Sequence, residues 1–404
     1  MNINRLIIFH GEIVNGFGGA ERVAFELIRF FKKRNIDVIL CTFNLEIEKL
    51  HHYKYYEEIK TNLVKIDGGS RISKVLNFRK KISQFNPDLI VGIYGGILYL
   101  STLLFNIPYV TIIHGTMFWS SADVTKYSFL HKNVFDEILS EGNDHMEFIS
   151  RKPNISVLDR IIMEIKAIID YIGVKKSESI LVVTERVGWE VKKLYGKDSL
   201  LVKGSIDGSI VGHKPGIDIR KLHRLNNDDH IILSISRLGK RKRIDLLIKS
   251  FALLCQKRDD VKLFIIGDGD SKQELKELAK RLGCYASVFF IDFISDDLLW
   301  DYYHYCDVFA FPGWTSKGLT LFEALAMKKK IVLSSEGFSG RFPETISKSN
   351  YLFLSNPNEI SFMQTINEAL ERTIIDDIDL TEFFWDNSFE SAFTEIEIWF
   401  NGVT

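Results

Sequence analysis

The stretch "DVFAFPGWTSKGLTLFEALAMKKKIVLSS", residues 307–335, contains one complete structural unit. An apolar run, "DVFAFP" (307–312), leads into a Gly-bearing turn. A helical pattern begins near Leu319, and a second apolar run, "KIVLSS" (330–335), follows it. Short runs that are apolar on both faces read as buried parallel strands, and the segment between them as a helix covering the sheet. One residue is out of keeping. Glu323 sits among Leu321, Phe322, Ala324 and Leu325, where burying a carboxylate is costly unless it has partners.

The same grammar repeats on both sides of this unit. The second half also holds "HIILSIS" (230–236), "VKLFIIG" (261–267) and "SVFFI" (287–291), separated by helical patterns such as "RIDLLIKSFALLCQK" and "SKQELKELAKRLG". The first half offers "RLIIFH" (5–10), "DVILCTF" (37–43), "LVKI" (63–66), "DLIVGI" (88–93), "YVTIIH" (109–114), "SILVVT" (179–184) and "LLVKG" (200–204). Around residues 205–229 the apolar periodicity lapses and polar residues and Gly accumulate, which reads as a linker region. Alternation repeated in both halves predicts an α/β protein of two doubly wound, Rossmann-like domains facing across a cleft. Ligands of such sheets bind outside the carboxyl ends of the strands, so the chemistry is sought there.

Bulk properties agree with a globular chain. At 404 residues it exceeds what one core usually supports. Apolar residues make up 46% and charged residues 26%, and the net charge of −1 gives no global basic field for nucleic acid. Cys41, Cys255, Cys284 and Cys306 are far apart without CxxC pairing. This fits a reduced, cytoplasmic protein without a zinc site. The start "MNINRLIIFHG" is too sparsely apolar for a signal peptide, and no stretch is long and apolar enough to span a bilayer.

Three strand ends hold candidate residues. After the first strand, "GEIVNGFGGAERVAFELIRFF" places Gly16, Gly18 and Gly19 at a helix start, where backbone N–H groups can receive a phosphate. Glu21 occupies the third position of the dinucleotide fingerprint, so a tight turn without ligand is the equal alternative. In "SISRLGKRKRIDLLIKS", Arg237 closes a strand and Lys242 follows a short loop. Two such cations can hold a diphosphate, or belong to a solvated basic loop with Lys240, Arg241 and Arg243. His114 ends the strand "YVTIIH" as a sugar contact or as a capped core residue.

The ordered set resembles the retaining nucleotide-sugar glycosyltransferases of the GT-B fold, family four, over nearly the whole chain. "GFGGAERV" is similar to that family's first glycine-rich turn, "TIIHG" to its histidine strand and "LVVTE" to its late first-domain strand. "SRLGKRKRIDLLIKSF" resembles its Arg–Lys donor-phosphate motif, and "LFIIGDGDSKQELKELAKRLG" the unit after it. "DVFAFPGWTSKGLTLFEALAMKKKIVLSS" aligns with the segment bearing the family's E-x7-E motif, and "FFWDNSFESAFTEIEIWF" with the closing helix that returns to the first domain.

The resemblance implies an acceptor-side domain of residues 1–205 plus 385–404, and a nucleotide-sugar-binding domain of residues 206–384. It implies a hexosyltransferase-type enzyme with no cofactor and no catalytic metal. The donor is a nucleoside diphosphate sugar and the acceptor a glycan or lipid-linked molecule. Gly18 and Gly19 would approach the donor diphosphate, while Arg237 and Lys242 would neutralise the leaving phosphate. His114 would contact the transferred sugar, and Glu323 would accept hydrogen bonds from two ribose hydroxyls. The helix start at Gly318, Leu319 and Thr320 would point its N–H groups at the donor. Thr315 stands where the family has its first Glu, beside Ser316 and Lys317. That departure keeps a non-catalytic sugar-nucleotide-binding subunit in view, with a nucleotide-sugar epimerase or dehydrogenase behind it. The basic amphipathic stretch "SRISKVLNFRKKISQF" (70–85) is either a sheet-covering helix or a peripheral contact with the cytoplasmic membrane face.

Overall fold

The computed structural model describes residues 3–13, 18–93, 98–99, 107–115, 156–313, 318–335, 344–374 and 377–400. Two compact units emerge: Met1–Gly204 with Trp385–Thr404, and Ser205–Phe384.

The first unit is built on a parallel sheet of seven strands: β1 (Arg5–Phe9), β3 (Asp37–Thr42), β5 (Leu63–Lys65), β6 (Leu89–Ile93), β7 (Tyr109–Ile113), β8 (Ser179–Val182) and β9 (Leu200–Leu201). A small pair, β2 (Glu12–Ile13) and β4 (Asn44–Leu45), lies outside it. The spatial order is β5-β3-β1-β6-β7-β8-β9. Phe9 is therefore flanked by Cys41 and Gly92, and the order reverses between β1 and β6. Leu6, Ile7, Ile8, Leu40, Ile90, Val91 and Val110 are fully buried, as expected of strands covered on both faces.

Four helices of this unit are α1 (Gly19–Lys33), α2 (Arg71–Phe85), α3 (Val157–Lys176) and α4 (Glu185–Tyr195). In α2, Phe78 and Ile82 are buried while Ile72 and Leu76 are exposed. The helix thus covers the sheet with one face and keeps apolar residues outside. Ser70 caps it by accepting from Ser73 N–H at 3.2 Å, and Asn86 ends it in the left-handed conformation. In α3 the burial is confined to Ala167, Asp170, Gly173 and Val174, whereas Val157, Leu158, Ile161 and Ile165 are exposed. Gly173 is required there, because a Cβ would come within 2.0 Å of the Tyr99 ring.

The second unit holds six parallel strands: β10 (His230–Ile235), β11 (Val261–Ile266), β12 (Val288–Ile291), β13 (Val308–Phe311), β14 (Lys330–Ser334) and β15 (Leu352–Ser355). Their order, β12-β11-β10-β13-β14-β15, is the dinucleotide-fold order 3-2-1-4-5-6. The switch point falls between β10 and β13. Its helices include α5 (Ile244–Cys255), α6 (Lys272–Arg281), α7 (Asp296–Tyr305), α8 (Leu319–Ala326) and α9 (Glu359–Glu371). Their apolar faces close two clusters on opposite sides of the sheet, around Phe264, Phe309 and Phe322 and around Phe251, Leu263 and Phe362.

The stretch expected to be a linker is instead packed into this unit. Asp301 of α7, 3% exposed, accepts from Gly216 N–H at 3.0 Å and Ile217 N–H at 2.9 Å, and lies 2.7 Å from His213 Nε2. A buried carboxylate needs such donors, and the backbone N–H groups of Gly216 and Ile217 supply them. The chain returns to the first unit in α10 (Trp385–Phe400). Phe389 lies 5.4 Å from Phe30 and Phe393 lies 4.8 Å from Phe31, between ring centroids, and Lys33 meets Asp386 at 2.5 Å.

Candidate functional site

The second unit concentrates the expected cations and the expected carboxylate around its switch point. After β10 the chain runs through Ser236, Arg237 and Leu238 against the loop that follows β11. Leu238 N–H donates to the Asp268 carbonyl at 2.8 Å, and Ser271 N–H donates to the Leu238 carbonyl at 3.0 Å. This close zipper explains two glycines. Gly267 and Gly269 have φ of +140° and +154°, and a Cβ on them would come within 2.0 Å of the Ser236 carbonyl and 2.5 Å of the Leu238 carbonyl.

Past this zipper a short 3-10 turn, Lys240–Lys242, brings Lys242 to the end of β13. A Cβ on Gly313 would lie 3.2 Å from the Lys242 Cα, so the two segments touch there. The Lys242 ammonium stands 5.6 Å from the centroid of the Phe311 ring. Gly318 abuts the other end of the same neighbourhood, since a Cβ there would be 3.0 Å from Phe311 Cε2. Phe311 is thus a shared wall between the cation and the start of α8. Burial, then the charges of Arg241 and Arg237, pull the Lys242 amine down to about 8. Arg237 itself is exposed.

Gly318 is the extended N-cap of α8. The helix start has no side-chain cap, and its first turn contains no acidic residue. Leu319 and Thr320 form that turn, where orphan N–H groups and the positive dipole end favour an anion. Glu323 follows one turn later, half-buried. The Tyr303 hydroxyl of α7 lies 3.0 Å from Glu323 Oε2 and 2.9 Å from the Thr320 carbonyl. Lys242, Gly318, Leu319, Thr320 and Glu323 are therefore brought together in one unit, with Arg237 close enough to act on Lys242. Thr315, Ser316 and Lys317 lie outside the described residues.

In the first unit the glycine turn is already partly used. Gly18 N–H donates to Glu21 Oε2 at 2.9 Å, and Glu21 is buried. The residue that breaks the dinucleotide fingerprint thus puts its own carboxylate at the start of α1, beside Gly19. A negative charge there competes with a phosphate for the same dipole end. His114 directly follows β7 and is half-buried. Gly16 lies outside the described residues.

Sequence reading passed over two residues near these groups, one at a strand end and one in a helix. His10, directly after β1, accepts from Glu12 N–H through Nδ1 at 3.2 Å, and burial lowers its pKa against the opposing charge of Glu21. Tyr303, within "DYYHY" (301–305), gave only the signal of an aromatic helix face. No sequence spacing links it to Glu323, because the two meet across different helices. Among the described residues no group of three His, Cys, Asp or Glu side chains is arranged to hold a metal ion. No described helix is long and apolar enough to cross a membrane.

Two family profiles match the chain in succession: glycosyltransferase family 4 over residues 17–200, and glycosyl transferases group 1 over residues 217–378. An uncharacterized glycosyltransferase of Methanocaldococcus jannaschii is 25% identical over 201 residues, covering 48% of this chain and 51% of that protein. The N-acetylgalactosamine-N,N'-diacetylbacillosaminyl-diphospho-undecaprenol 4-alpha-N-acetylgalactosaminyltransferase of Campylobacter jejuni is 32% identical over 145 residues, 35% of this chain and 38% of that one. The alignments thus span about half or less of these relatives. In fold, the chain is similar to Anabaena Alr3699/HepE crystallised with UDP and glucose, with a TM-score of 0.63 at 14% identity, covering 97% of this chain and 95% of that one.

Proposed function

The chain belongs to the group 1 glycosyltransferases of the GT-B fold, and from that premise we propose that it transfers a sugar, with retention of configuration, from a nucleoside diphosphate sugar to a glycan or lipid-linked acceptor. The observation that carries this reading is the switch-point constellation of the second unit. There a cation with a lowered pKa, an uncapped helix start and a carboxylate one turn inside it gather past the carboxyl end of β13.

In this reading Arg237 and Lys242 take up the charge that develops on the departing diphosphate, a preorganised role that needs no metal. The N–H groups at Gly318, Leu319 and Thr320 receive a phosphate oxygen. Glu323 offers two oxygens to the two ribose hydroxyls, which accounts for an acid at this apolar position. His114 meets the transferred sugar. In the first unit Glu21 already takes the Gly18 N–H, so Gly18 and Gly19 are the weaker diphosphate contacts, and Thr315 leaves the donor-sugar contact to neighbouring groups.

The name of the Campylobacter jejuni relative supports a lipid-linked diphospho-sugar acceptor. Residence on the cytoplasmic side agrees with four cysteines that are all free. A peripheral membrane contact through residues 70–85 is supported by Ile72 and Leu76, exposed beside Arg71 and Lys80. Cosedimentation with anionic liposomes that is unchanged by charge reversal at Arg79, Lys80 and Lys81 rules that helix out.

The deciding experiment offers the purified protein UDP- and GDP-sugars, with EDTA present, and follows anomeric configuration by NMR. Release of an α-configured sugar from an α-linked donor is the expected result. Binding without turnover makes the protein a sugar-nucleotide-binding subunit instead, and isomerisation of the sugar makes it an epimerase.

A further inference from the structure

We propose that Tyr303 is a positioning residue for donor recognition: its hydroxyl holds the Glu323 carboxylate in the one orientation that reads a ribose diol. The inference deepens the reading above and rests on it, because it presumes that Glu323 faces the ribose.

Three observations carry it. Tyr303 is fully buried, and its ring packs against Phe309 with centroids 5.6 Å apart, so the hydroxyl is delivered from a side chain with no freedom to follow a ligand. The hydroxyl lies within hydrogen-bond distance of both Glu323 Oε2 and the Thr320 carbonyl, at 3.0 and 2.9 Å. It therefore touches the first turn of α8 and the carboxylate one turn later, two groups on one helix face. Finally, the adjacent tyrosine is used differently. The Tyr302 hydroxyl pairs with His223 Nε2 at 2.7 Å, inside the aromatic cluster of Phe264 and Phe289. Within this pair of neighbours, Tyr303 is the one that reaches the candidate site.

The chemistry follows from counting donors and acceptors. A phenol has one hydrogen to give, and an ionised carboxylate is the stronger of its two acceptors. Donation to Oε2 restricts the rotation of the carboxylate plane, a torsion that is intrinsically broad. Each carboxylate oxygen has two lone pairs, so Oε2 can accept from Tyr303 and from a ligand hydroxyl together. A vicinal diol needs both oxygens turned toward it at once. Without the Tyr303 hydrogen bond the plane is held less firmly toward the diol, and the diol contributes less. Tyr303 never touches the ligand in this scheme. It acts through Glu323.

The test compares two ligand pairs by isothermal titration calorimetry: UDP with 2′,3′-dideoxy-UDP, and GDP with 2′,3′-dideoxy-GDP. The expected result for Tyr303→Phe, which keeps the ring and its packing, is a loss of about fivefold to tenfold in affinity for the ribonucleotide that binds, the scale of one typical net hydrogen bond. Affinity for the dideoxy form should stay at the wild-type value. Glu323→Gln should cost less in the Tyr303→Phe background than alone, the mark of two residues acting as a unit. An equal loss for both nucleotides makes Tyr303 a packing residue only and overturns the proposal. So does an unchanged ribonucleotide affinity, or additive losses in the double variant. If Glu323→Ala itself fails to abolish the preference for the diol, or the wild type binds neither nucleotide, the ribose reading falls first, and this one with it.

Discussion

Two glycine-led helix starts, one in each unit, obey the same local rules and end with opposite electrostatics. Gly18 and Gly318 are both extended N-caps without a side-chain cap. At α1, Glu21 in the first turn accepts the Gly18 N–H, so the positive end is met by the protein's own carboxylate. At α8 the first turn has no acid; Glu323 sits a turn deeper, tied to Tyr303, and Lys242 stands across the Phe311 ring. A glycine turn alone therefore does not make a phosphate site. The charge placed within one helical turn of it decides whether the dipole end remains open to a ligand.

The largest expected effect tests that asymmetry through the cations. Lys242→Ala, and equally Arg237→Ala, should lower kcat by about 10²–10³, the scale of one lost preorganised donor. Arg241→Ala, from the same loop, and Glu21→Ala, from the opposite helix start, should leave kcat near the wild-type value. Initial rates of transfer or donor hydrolysis decide it. Equal losses at Lys242 and Glu21 would erase the distinction between the two turns.

Next comes pH. Because the Lys242 amine is lowered to about 8 in the free protein, its charge is complete well below that pH and is lost as pH rises through it. Affinity for a nucleoside diphosphate sugar, whose esterified phosphates do not titrate in this range, should therefore be flat near neutral pH and fall above about 8, by up to about tenfold per unit for one linked proton. Binding above pH 8 should take up a proton, visible by calorimetry in buffers of different ionisation enthalpy. Lys242→Arg should remove the alkaline fall. If the fall persists in that variant, another group is responsible.

The two acids form the third contrast. Glu323→Gln should weaken nucleotide binding about tenfold, the value of a hydrogen bond to a charged group. Glu21→Gln should leave that affinity intact and instead destabilise its own unit by about 0.5–1 kcal/mol, a shift of about 1–4 °C for a unit of that size. Smallest is Arg243→Gly. Arg243 caps α5 with φ +49°, a conformation that favours glycine, but it also lies 3.6 Å from Asp245. Relief of strain and loss of that ion pair should nearly cancel, leaving stability within about 1 kcal/mol.

All but one of the strands in the two parallel sheets were legible from their apolar runs, because strands buried on two faces advertise themselves without reference to their partners; the edge strand β15, with Leu354 exposed, was missed. "LLVKG" was less so: only Leu200 and Leu201 pair, opposite Leu181 and Val182, since ladder length depends on a neighbour and not on the run itself. Strand order was illegible for the same reason. Residues 213–217 looked like linker because their partner, Asp301, lies more than eighty positions away. At the candidate site, Glu323 was conspicuous as a charge among apolar residues, whereas Tyr303 was hidden by looking ordinary in a helix. The use that Glu21 makes of Gly18 could not be read either, since spacing shows which residues are near a turn but not which way a carboxylate folds back.

The placement of α10 has a consequence for synthesis on the ribosome. Residues 205–384 form an uninterrupted unit, while the first unit is assembled from both flanks of that segment. Gly204 N–H donates to Ser388 Oγ at 2.7 Å, and Phe30 and Phe31, 1% and 2% exposed, lie against Phe389 and Phe393. Until residues 385–400 leave the exit tunnel, that aromatic face of α1 has nothing from α10 to cover it. The first unit therefore cannot complete its packing in the usual vectorial order, N-terminal domain first. The second unit can close while the first, begun earlier, waits for a helix made after both. Slow translation over residues 205–384 would lengthen the time the nascent chain holds an aromatic face open to chaperones, and synthesis arrested at Phe384 would leave it open for good.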